Sequence, residues 1–168
     1  MSGVTRRPSR PSPGCDAGPR VTGPLAPTYF YRYRGQNFPT KKYVLELHDD
    51  VLEVSEGRSG VAHIGVIESA VSKPVTSVMG EDAYPTFLTK VAAIGYTLAH
   101  DHGFSDGNKR TALMVMLNTL EANDLHPDPT EREKVTAAIL AAMNLLDVSG
   151  LRVTLMLWCG IDPADAEA

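Results

Sequence analysis

Cysteine is scarce in this chain: Cys15 and Cys159 stand far apart, with no Cys-x-x-Cys spacing and no cluster. Two isolated thiols exclude a disulfide-framed secreted domain and fit a reducing compartment. Long apolar runs are missing as well, and no stretch approaches the roughly 20 residues that a membrane helix needs. Positive charge is short where a nucleic-acid binder would need it. Up to residue 34 the chain has six arginines against Asp16 alone, so of 16 basic and 20 acidic residues the remainder keeps ten and nineteen, about −9. Backbone phosphates are gripped through counterion release by Lys and Arg, so nucleic acid is not an expected partner of such a body. Any phosphate chemistry must be focused at one site. Arg6-Arg7 hints at a twin-arginine signal, but PSRPSPGCDAGPR follows where an apolar region belongs, and a soluble cytoplasmic protein is expected.

What is present amounts to one domain: 168 residues, 43% hydrophobic. Residues 1–38 hold Pro8, Pro11, Pro13, Pro19, Pro24 and Pro27 among Ser, Gly and Arg, lack apolar periodicity, and are expected to be a disordered tail. At its end, YFYRYRG (Tyr29 to Gly35) interleaves aromatics with arginines. Such a patch could stack on nucleic acid, but folding back on the domain is the simpler reading.

From residue 39 to 162 the pattern is helical. Val44, Leu47, Val51 and Val54 mark one face of a first helix, and HIGVIESAVS (63–72) a short second one. KPVTSVMGEDAYP (73–85) is turn-rich and β-branched, a small hairpin. Phe87, Val91, Ile94 and Leu98 form the stripe of the next helix, where Gly95 suggests close packing against a neighbour. Leu113, Met116, Leu117 and Leu120 are the expected core face of a fourth. Thr130 and Glu133 make a capping box for a fifth, and GLRVTLMLWCG supplies a sixth. The expectation is an all-α bundle with one small β excursion.

The chemistry concentrates in HGFSDGNKRTAL, residues 102–113, a loop running into a helix. Free N–H groups and the dipole at a helix start attract anions, and Gly107 permits the left-handed backbone of a phosphate-cradling nest. Arg110 and Lys109 add charge there, Arg110 with a bidentate fork, and the Asn108 amide can fix the loop. Asp106, an anion at an anion site, either caps the helix or holds a hard cation such as Mg²⁺ against a polyphosphate. His102 supplies a base that titrates near neutrality, and Phe104 plugs the loop into the core. Base, cation ligand and phosphate grip together imply phosphoryl or nucleotidyl transfer to a hydroxyl. His100, just upstream, reads as a helix-end residue.

His102-Gly103-Phe104-Ser105-Asp106-Gly107-Asn108-Lys109-Arg110 resembles the signature of the Fic/Doc family, in particular its Doc branch. LHDDVLEVSEG, VIESAVSKP, YPTFLTKVAAIGYTLAHDHGF and NKRTALMVMLNTLEAND resemble Doc segments in the same order. The resemblance implies a Fic-fold helical bundle with a β-hairpin flap, using ATP and Mg²⁺. It implies His102 as catalytic base, Phe104 as buried anchor, Asp106 as the Mg²⁺ position, and Gly107, Asn108, Lys109 and Arg110 as the anion hole. The flap, with Lys73, Val75, Thr76 and Val78, would align the target's chain. AMP-transferring Fic enzymes are similar but carry Gly where Lys109 stands and a second Arg where Leu113 stands. The Doc pattern here implies instead a protein Ser/Thr kinase that moves the γ-phosphate of ATP onto elongation factor Tu, halting translation as the toxin of a toxin–antitoxin pair. The self-inhibitory [S/T]xxxE[G/N] motif is missing, because Leu52 lies four before Glu56-Gly57, so restraint is expected from a separate antitoxin. Gly103 replaces a bulkier family residue and is expected to loosen the loop.

Three other readings stand beside it. AMP transfer and an inactive Fic-like binding module are two. The third is a metal-dependent phosphohydrolase using His48-Asp49 and His100-Asp101, against which LHDD reads simply as a solvated helix face.

Overall fold

The first described element is one that composition argues against. In the computed structural model, which describes residues 28–54, 57–58 and 60–166, strands β1 (Phe30–Tyr33) and β2 (Gln36–Pro39) pair antiparallel with Tyr33 opposite Gln36. The two-residue connection, Arg34 at φ 48° and Gly35 at φ 83°, has the positive dihedrals of the turn whose twist matches paired strands. Phe30 and Phe38 are buried. The disorder expected up to residue 38 is therefore corrected for residues 28–38: the aromatics of YFYRYRG fold back, Phe30 into the core and Tyr29, Tyr31 and Tyr33 against it. Residues 1–27, and Cys15 among them, lie outside the described residues.

Helices follow: α1 (Lys41–Glu53), α2 (Ile64–Ser72), α3 (Phe87–His100), α4 (Asn108–Glu121), α5 (Glu131–Ala142) and α6 (Val148–Trp158). Between α2 and α3, a 3₁₀ turn at Lys73–Val75 leads into the hairpin β3 (Ser77–Val78) and β4 (Glu81–Asp82). The expected all-α bundle is thus present, with two hairpins in place of one. Side-chain caps start the helices where chemistry allows. Thr40, Thr86 and Asp147 accept from the third residue on, and Thr130 and Glu133 complete the capping box.

Helix α3 is the axis of the core, packed chiefly on α4, α6 and α2, with Val91, Ile94 and Leu98 fully buried. A Cβ on Gly95 would run into the Met116 side chain, so the close α3–α4 approach requires glycine there. Two apolar stripes need correction. On α1 the inward residues are Val44, Leu47, His48 and Leu52, while Val54 lies beyond the last turn, 88% exposed. On α4, Leu113 and Leu117 are only half-buried, and Thr111, Ala112, Val115, Met116, Thr119 and Leu120 are inside. That helix is covered by both α1 and α3, and a one-sided stripe underestimates a helix with two neighbours.

Candidate active site

The loop from Asp101 to Gly107 joins α3 to α4, and its backbone is fixed before any exposed side chain matters. Phe104 is 2% exposed and pairs by a single bridge with Val61. The Ser105 N–H donates to Gly60 O at 2.9 Å. Asn108 closes the loop from within: its Oδ1 accepts from the Phe104 N–H at 2.9 Å, and its Nδ2 donates to Phe104 O at 2.8 Å. The side-chain amide thus bonds both polar groups of one buried peptide residue, as such groups require. Asn108 therefore sets the loop's shape with its side chain.

Gly103 is the opposite of a loosening residue. It is buried, its carbonyl accepts from the N–H groups of Ala62 and His63, both at 3.0 Å, and an added Cβ would lie 3.1 Å from Ile67 Cγ1. A side chain there would crowd Ile67 and Val66, and with the carbonyl held twice the expectation of looseness is corrected. The carbonyl ties the loop to the start of α2.

Gly107 is the N-cap of α4, at φ 73°, and no side chain caps that helix. A Cβ would stand 3.3 Å from His48 Cε1 and 3.2 Å from Leu52 Cδ2, in a dihedral region costly for other residues. Asp106 is thus not the cap. It sits one residue earlier, where its Oδ1 accepts from the Gly107 N–H at 2.6 Å and lies 4.0 Å from Arg110 Nη2. The Gly107 N–H, then the Arg58 N–H, hold the Asp106 carboxyl below its ordinary range, with Arg110 and Lys109 adding to the effect. At neutral pH it is a carboxylate. Lys109 and Arg110 are exposed at the same helix start.

His102 is exposed, with φ 53°, an uncommon left-handed conformation for a side-chain-bearing residue. The structure therefore gathers Asp106, Gly107, Lys109 and Arg110 around one helix start and presents His102 on the rim of the same loop. Among the flap residues, Val75, Thr76 and Val78 are exposed and Lys73 is half-buried in the 3₁₀ turn.

Sequence reasoning missed the floor of this site. His48 of α1 is 2% exposed, stacks on Phe104 with ring centroids 3.6 Å apart, and has Nδ1 3.0 Å from Thr111 Oγ1. Its Nε2 is buried without a hydrogen-bond partner. Burial lowers its pKa below the usual 6.5, outweighing the pull of Asp49 and Asp106 in the other direction. Its spacing of four from Val44 and from Leu52 put it on the apolar stripe, which was the available signal. This corrects the solvated-face reading of LHDD at His48, although Asp49 and Asp50 are exposed. It also separates the two His-Asp pairs, because His100 Nδ1 turns to Asp101 Oδ1 at 2.7 Å on the surface. Among the described residues no three His, Cys, Asp or Glu side chains gather as a metal cluster. A lone ionised carboxylate fits a cation shared with a ligand's phosphates better than a protein-built metal cage.

Residues 38–120 match the model of the Fic/DOC family. Over 67 residues the chain is 40% identical to Toxin Doc of Mycolicibacterium smegmatis strain ATCC 700084 / mc(2)155, covering 40% of this chain and 52% of that protein. The chain thus spans about half the length of the curated relative it matches.

Proposed function

We propose that this chain, whose residues 38–120 match the Fic/DOC family model, is a Doc-type toxin that transfers the γ-phosphate of ATP to a Ser or Thr hydroxyl of a target protein, elongation factor Tu, and so stops translation. The observation that carries this reading is the start of α4. A left-handed glycine replaces a capping side chain, and an ionised Asp106, Lys109 and Arg110 surround it. An anion-binding helix start flanked by cations and one carboxylate suits a polyphosphate with a divalent ion.

In this reading Gly107 shapes the turn while the backbone N–H groups from Asn108 to Arg110 receive phosphate oxygens, and the Arg110 guanidinium and Lys109 ammonium neutralise them. Asp106 would hold Mg²⁺, which would supply charge neutralisation on the phosphates. His102 accepts the proton of the target's hydroxyl as that oxygen bonds to Pγ. The bond from Pγ to the β,γ-bridging oxygen breaks, and ADP leaves with that electron pair. Half-buried Leu113, one turn beyond Lys109, offers no guanidinium for a second grip on the phosphates, which favours γ-phosphoryl over AMP transfer. The name Toxin Doc on the relative supports a toxin held in check by a separate antitoxin protein.

The test is incubation of the purified chain with elongation factor Tu and ATP labelled at either the γ- or the α-phosphate, followed by mass spectrometry. γ-label on a Ser or Thr supports the kinase, and α-label reassigns it as an AMP transferase. Label from neither position removes the transfer reading.

A further inference from the structure

The flap cannot hold itself. Its strands have two residues each, below what an isolated hairpin needs, and its apolar side chains point to solvent, Val78 at 61% exposure and Met79 fully. What fixes it is one carboxylate. Asp82 of β4 is 8% exposed at its side chain and both its oxygens are used. Oδ2 accepts from Lys90 Nζ of α3 at 2.7 Å; Oδ1 accepts from Tyr33 Oη and lies against Arg34 Nη2, each at 3.0 Å. Lys90, itself 2% exposed, also donates to Tyr84 O, so α3 holds the strand at Asp82 and again just past it. Arg34 Nε reaches back to Tyr33 Oη at 3.1 Å, and the guanidinium lies 5.5 Å from that ring's centroid.

Tyr33 and Arg34 belong to the turn end of the β1–β2 hairpin, at the other end of the described chain from α6. The left-handed φ of Arg34 follows from that turn. Two hairpins remote in sequence are therefore joined through a buried charge whose partners come from α3 and from the β1–β2 hairpin. A carboxylate removed from water needs its partners together, so the network fixes the position of β4 far more sharply than two strand pairs could.

We propose that the β1–β2 hairpin is a latch for the flap, and that Tyr33, Arg34, Asp82 and Lys90 are positioning residues for the protein acceptor. The positioning role rests on the reading of the flap as the acceptor's alignment strand; the latch rests on the network alone. Arg34 is the residue to perturb, because it is 63% exposed and its loss leaves the Lys90–Asp82 pair intact.

The experiment compares the full chain with Arg34→Ala, Arg34→Lys and Tyr33→Phe by amide exchange and by steady-state kinetics. The Ala83 N–H, bonded to Thr76 O at 2.9 Å, reports the base of the flap, and the amides of α3 serve as the reference. Arg34→Ala should speed Ala83 exchange by up to about fivefold, the range for a surface ion pair, without changing α3, and Arg34→Lys should restore most of the protection. The KM for the acceptor should rise while kcat and the KM for ATP stay put. Unchanged Ala83 exchange in both Arg34→Ala and Tyr33→Phe overturns the latch. Faster exchange with an unmoved acceptor KM overturns the positioning role. An unmodified chain that transfers nothing defeats the kinase reading instead, and the exchange data then decide the latch by themselves.

Discussion

The loop from His102 to Thr111 has two faces that divide the work. Inward, Gly103, Phe104, Asn108 and Thr111 are buried: Asn108 pairs with Phe104 inside the loop, Thr111 with His48 of α1, and the Gly103 carbonyl with the N–H groups of Ala62 and His63. Outward, His102, Asp106, Lys109 and Arg110 stand in or near solvent. The difference teaches that a signature containing several polar residues is not several catalytic residues. Asn108, polar and central in the motif, is structural by its side chain, whereas its neighbour Lys109 faces water. Substitutions on the inner face should cost stability, and those on the outer face should cost chemistry.

The largest effect expected on the inner face is Phe104→Ala, which should lower unfolding free energy by about 3–5 kcal/mol in denaturant titration. It removes a fully buried ring and the stacking partner of His48. Asn108→Ala should cost about 1–3 kcal/mol in the same measurement, since both the N–H and the carbonyl of Phe104 lose their partner. His48 adds a pH signature. Its folded-state pKa is lowered by burial, so the folded protein binds fewer protons than the unfolded chain; stability is complete above about pH 6.5 and declines as pH falls below it. In His48→Asn that decline below about pH 6.5 should flatten, measured by thermal melts across the range. On the outer face, His102→Ala should leave stability within about 0.5 kcal/mol while transfer drops by about 10²–10⁴-fold, which sharpens the contrast most. Equal losses of stability on both faces would erase the distinction.

Much of this was legible beforehand where local chemistry decides. The capping box at Thr130 and Glu133, the glycine at the start of α4 and the tight approach at Gly95 follow from rules that act over a few residues. The motif window reads from sequence because its residue types are dense and ordered. What was illegible depends on distant partners. The burial of His48 is set by Phe104 and Thr111, more than fifty residues away, and the order in residues 28–38 by Asn123, Val71 and Asp82. Proline and arginine content argued for disorder up to residue 38, and the hairpin's turn residues, Arg34-Gly35, carried too weak a signal against it. Gly103 misled for a related reason: a glycine chosen for fit against Val66 and Ile67 cannot be told from one chosen for freedom until the neighbour is seen.

The central claim is that the backbone entering α4 receives the phosphates of ATP. Titrating ATP and Mg²⁺ into the isotope-labelled chain, and following amide resonances, tests it most directly. The amides of Gly107 to Thr111 should move first and furthest, with weaker binding in Arg110→Ala. Binding that shifts amides elsewhere and leaves Gly107 to Thr111 still, or affinity indifferent to Arg110, would contradict it.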